Sequence, residues 1–91
     1  KASEPALFSF FFFPPDRFLR VTSISTKDSS AAKKVGFVAG MIITSINGEE
    51  VSGLGRWVIE KYIRGEKVNV LKMLTNSKKE FVYDFSSRQF K

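Results

Sequence analysis

The chain has no cysteine and no histidine. The first absence excludes disulfides and thiolate metal sites. The second removes the commonest general base and the commonest metal ligand. A nucleophilic serine would have only lysine as a base within reach of its hydroxyl. The segment Gly53-Leu54-Gly55 lacks the third glycine and the preceding strand of a nucleotide fingerprint. Glu49-Glu50 reads as a solvated turn rather than an acid/base pair. No apolar run approaches the ~20 residues that span a bilayer. Residues 6–13 could suggest a signal-peptide core, but Glu4 precedes them, Pro14-Pro15 follow, and no small-residue cleavage pattern lies beyond. These absences point away from an enzyme and from any cofactor or metal. They favour an intracellular setting, cytoplasmic or membrane-associated, because small secreted domains lean on disulfides.

What is present is basic and aromatic. Ninety-one residues make one domain. Fifteen Lys and Arg against nine Asp and Glu give a net charge of +6, a balance that favours acidic peptides or anionic lipid surfaces. The basic residues are scattered, so they read first as a solvated surface. Lys33, Lys34, Lys61, Arg64, Lys78 and Lys79 are the candidates for a weak anionic-membrane contact. There are ten phenylalanines, half of them in residues 8–13. They form a continuous run and are not interleaved with Lys and Arg, which argues against nucleic acid.

Residues 1–5 are polar and read as a flexible segment, residues 6–87 as the domain, and residues 88–91 as a tail. The start without Met, followed almost at once by an apolar run, suggests a domain from something larger. Residues 7–13 have strand length and aromatic content, and the prolines break them off. Residues 18–24 alternate as a half-buried strand. Asp28 or Ser29 suits the cap of a short helix through Ala31, Ala32 and Lys34, and Gly36 suits its left-handed stop. Gly40 opens a strand carrying Ile42, Ile43 and Ile46, and Asn47-Gly48 is the strongest turn signal. A second helix over residues 56–64 has an apolar stripe of Trp57, Val58, Ile59, Tyr62 and Ile63, with Trp57 read as a packing residue. Residues 67–74 and 80–85 make a final hairpin, with Phe81, Tyr83 and Phe85 on one face. The expected fold is α+β, mostly β with two helices, a partly open sandwich or barrel.

The segment 36–51, GFVAGMIITSINGEEV, sets a helix stop, two glycines, an apolar strand and an Asn-Gly turn at the spacing of one module. It resembles a PDZ domain, with Met41 where that family often has Asp. The resemblance covers about residues 7–85 and is closest over 20–70; the family's first strand is largely missing, and the hairpin after Lys67 could replace it. It implies peptide binding by strand addition between the second strand and the second helix.

The family's carboxylate-binding loop, x–Φ–Gly–Φ, falls on Leu7, Phe8, Ser9 and Phe10, with Ser9 in place of glycine. Phe11, Phe12 and Phe13 then form the binding strand, Phe10 and Phe12 on one face and Phe11 and Phe13 on the other. On the helix, the family pattern puts Gly55, Ile59 and Ile63 on the groove, with Val58 and Tyr62 on the core. A shift of one residue puts Arg56 and Glu60 there instead. The histidine that selects Ser or Thr in one PDZ class is absent. The implied ligand is therefore a hydrophobic peptide or C-terminus, acidic upstream if Arg56 faces the groove. The competing expectation is a structural or regulatory domain that docks within its parent or self-associates through its edge strand.

Overall fold

The computed structural model describes residues 6–13 and 18–91, with Phe13 described by its backbone alone. The order is β1 (Phe8–Phe13), β2 (Phe18–Ile24), α1 (Ser29–Val35), β3 (Ile42–Ile46), β4 (Glu49–Glu50), a 3-10 turn (Val51–Gly53), α2 (Arg56–Ile63), β5 (Val70–Thr75), β6 (Glu80–Asp84) and β7 (Gln89–Phe90). The chain is thus mostly β with two helices, and its antiparallel sheet curls into a half-barrel. Neighbours run β1-β2-β3-β5-β6-β7, with β4 also paired to β3. Glu49 and Glu50, read from the sequence as a turn, are therefore a short exposed strand.

The concave face is apolar because strand residues alternate toward it, with a register shift in β3 between Ile43 and Ser45 that brings both Ile43 and Ile46 inward. Leu19, Val21, Ile43, Ile46, Leu71, Met73, Phe81 and Tyr83 are buried on it, and Ile59 and Ile63 of α2 cover it. In β2 the alternation fails after Val21. The pairing runs Phe10↔Val21 and then Ser9↔Ser23, so Thr22 is the extra residue of a bulge. β1 keeps its period of two, and Phe8 and Phe10 are both buried while Ser9 is exposed.

Asn47 and Gly48 take φ of +50° and +83°, as a type I′ turn requires. Asn47 also continues the β3–β5 ladder beyond Ile46. Its N–H donates to Lys72 O at 2.8 Å, its Oδ1 accepts from the Lys72 N–H at 2.8 Å, and its Nδ2 donates to Val70 O at 3.4 Å. Helix α1 ends as expected, at Gly36 with φ +84°.

Asp28 precedes α1, but its side chain makes no capping hydrogen bond. Its fully buried carboxylate accepts instead from the Tyr83 hydroxyl and, at 2.8 Å, from Arg88 Nη2. Residues 88–91, expected as a tail, belong to the fold. β7 pairs with β6, and the Phe90 ring lies 5.4 Å from Phe37 and 4.9 Å from Tyr83.

Trp57 is corrected by the structure. Read from the sequence as a packing residue, it is 71% exposed. A helix turns 100° per residue, so Trp57, Val58 and Ile59 cannot all face one core. Ile59 takes that place, Val58 sits at its margin, and Trp57 points away. No described helix is long and apolar enough to cross a membrane.

Candidate functional site

β1 ends the sheet, and no described residue pairs with its outer edge. Val21 donates to Met41 O and accepts from the Gly40 N–H, so its peptide groups point toward β3. In an antiparallel ladder the direction alternates. Arg20 therefore turns its groups toward its partner Phe11, and Phe10 and Phe12 direct theirs outward from the sheet.

Helix α2 runs beside this edge. The Leu7 N–H donates to Ile63 O at 2.9 Å, tying the entry of β1 to the last turn of the helix. Near its first turn, the Arg56 guanidinium stands 4.9 Å from the centroid of the Phe10 ring. Between these two contacts lies a groove of about 170 Å³, with Phe8, Ser9 and Phe10 on the strand side and Arg56, Glu60, Ile63 and Arg64 on the helix side. Arg56 Nε pairs with Glu60 at 3.3 Å, one helical turn on. The pair is partly exposed, so it positions charge more than it stabilises the helix.

The residues expected to bind a peptide are only partly brought together. The register of α2 is the shifted one: Arg56 and Glu60 line the groove, while Ile59 is 0% exposed in the core. Ile63 forms buried floor, and Gly55 is the exposed N-cap residue. Residues 7–10 do not form a loop. β1 begins at Phe8, Leu7 and Phe8 are core residues, and the Leu7 N–H is engaged by Ile63. Ser9 is not among the described residues with positive φ, which are Asn47, Lys78 and Arg88 beside four glycines. Phe12 packs at the edge of the core, and Phe11 is 54% exposed on the convex face. Phe13 pairs with Phe18 through the backbone; its side chain and residues 14–17 lie outside the described residues. The hairpin β5–β6 joins β3 and supplies nothing to the β1 edge.

Arg64 was missed as a groove residue. Its only sequence signal is the helical spacing 56, 60, 64, which follows once Arg56 is put on the groove.

Wider concavities of about 500 and 430 Å³ lie elsewhere. The first sits on the outside of the sheet among Thr44, Ser45, Leu74 and Lys78. The second lies between α1 and β7, with Lys27, Lys34 and Arg88 in its walls. Arg88 there is already engaged by Asp28. No group of three or more potential metal ligands occurs among the described residues. Burial raises the pKa of Tyr62, with Glu49 adding to the effect, and burial raises that of Tyr83 further, helped by its bond to Asp28. Neither hydroxyl lines the groove. No protein-family model matches the chain, and neither does any curated protein or solved structure.

Proposed function

We propose that this chain is a PDZ-like interaction module that takes an extended peptide along the outer edge of β1, beside α2. The observation that carries the reading is a strand edge that no described residue pairs with, flanked by an antiparallel helical wall tied to it at Leu7–Ile63 and at Phe10–Arg56. The outward peptide groups of Phe10 and Phe12 supply the ladder. Main-chain bonds of this kind give affinity, and the side chains of the wall give selectivity. Arg56 and Arg64 on that wall favour acidic residues in the ligand, with hydrophobic ones against Phe10 and Ile63.

The reading is tested by selecting random C-terminal peptides against the domain and retesting each as its C-terminal amide. Binding lost on amidation makes the ligand a free C-terminus. Equal binding of acid and amide makes it an internal strand, consistent with the engaged Leu7 N–H. Failure of every peptide overturns the reading.

A second reading is a structural domain that docks within its parent or self-associates. It is favoured by the exposed Phe11 on the edge strand. Concentration-dependent dimerisation that salt does not weaken and that Phe11→Thr abolishes would support it.

A further inference from the structure

Two depressions meet on α2. The groove beside β1 has Arg56, Glu60 and Arg64 on its helical side. A second depression, of about 100 Å³, lies on the outer face of the same helix between Trp57, Lys61 and Glu66. Glu60 and Arg64 line both. A chain leaving the groove over that turn of the helix therefore runs onto Trp57.

Trp57 is the only tryptophan, and the core does not use it: it is 71% exposed, with the Lys61 ammonium 5.8 Å from its ring centroid. Exposed indoles of this kind carry disproportionate binding energy once a partner covers them. The charge around it selects the partner. Arg56 is paired with Glu60, whereas Arg64 makes no ion pair with a described residue, and the whole chain carries +6. An acidic ligand is attracted, and a basic one repelled.

Resting on the peptide-binding reading, we infer that the ligand is an acidic peptide whose chain crosses the rim of α2 and sets an apolar side chain against Trp57. An extended chain advances about 3.3 Å per residue, and a helix with side chains is about 10 Å across. Roughly three residues beyond the groove thus reach the indole. The recognised segment is longer than the few residues that pair with β1, and it has two parts, an acidic one in the groove and an apolar one beyond it.

The test is a pair of selections from a random dodecapeptide library, one on the native domain and one on Trp57→Ala. Both should enrich acidic residues, and only the native domain should also enrich an apolar position about three residues away. The native-selected peptides should bind Trp57→Ala about ten-fold more weakly, and their truncation to the groove portion should erase that difference. Selected peptides that lack tryptophan should shift the native domain's fluorescence to the blue, a readout that needs no variant. The same consensus from both baits, with no change in fluorescence, overturns the inference and leaves the groove reading standing. No enrichment on either bait overturns both.

Discussion

The two ends of the sheet are built on opposite principles. At the β7 end, polar and aromatic groups engage one another. Asp28 holds Tyr83 and Arg88, and Phe37 lies 5.2 to 5.7 Å from the rings of Phe81, Phe90 and Phe8. Arg88 keeps a φ of +53°, an unfavourable value for a side chain of its size that its ion pair helps hold in place. At the β1 end, peptide groups point outward, an arginine sits over a ring, and Phe11 and Trp57 stand exposed. A strand edge left open in this way invites pairing with another chain. Mutually engaged polar groups gather at one end, and exposed apolar rings at the other.

Substitutions can break that comparison, and the largest effects should fall at the β7 end. Phe37→Ala removes the ring that joins β1, β6 and β7, and should cost about 4 kcal/mol in denaturant unfolding. Asp28→Ala removes the buried carboxylate that accepts from both Tyr83 and Arg88, and should cost about 3 kcal/mol. Asp28→Asn should lose less, because an oxygen remains for the Tyr83 hydroxyl. A β1 end as sensitive as this would dissolve the contrast.

Smaller effects sharpen it. Gly65 has φ +78°, and a Cβ there would meet the Phe85 ring at 2.9 Å. Gly65→Ala should therefore cost about 2 kcal/mol, read as a lowered melting temperature. Tyr83 has its pKa raised above the ordinary 10.0 in the folded state. Its contribution is thus fully present below pH 10 and falls as the pH rises above it, because the unfolded chain ionises first. The loss should be at most about 1.4 kcal/mol per pH unit. Following unfolding by circular dichroism from pH 8 to 11.5 should show this fall, reduced in Tyr83→Phe, with the Tyr62 share remaining. Last, Trp57→Ala and Phe11→Thr should leave stability within about 0.5 kcal/mol of the native chain. A larger loss in either would mean that the open end is part of the folding core.

Local chemistry made much of the fold legible in the sequence. The Asn47-Gly48 turn, the glycine that ends α1 and the alternation of β5 and β6 depend on residues within a few positions of each other. Three features did not. The Asp28 carboxylate looked like a helix cap because its partners, Tyr83 and Arg88, are 55 and 60 residues away. The β2 bulge at Thr22 has no signal in an otherwise regular strand. The rotation of α2 was open by one residue because Trp57-Val58-Ile59 offers three apolar neighbours to a core that accepts two. That rotation decides the candidate site, since it exchanges Ile59 for Arg56 and Glu60 on the groove. Ten phenylalanines also obscured the distinction between wall and core, because Phe10, Phe11 and Phe12 differ in position and not in chemistry.

Asn47 links strands that lie far apart in the chain. Its backbone and side chain together meet Val70 and Lys72, so the turn that ends β3 also indexes β5. Sliding β5 by a single residue would carry Leu71, Met73 and Thr75 to the outside and bring Lys72 into the apolar interior. One amide side chain thus acts as a key for alignment: the correct pairing is the one in which the turn closes and the interior stays dry.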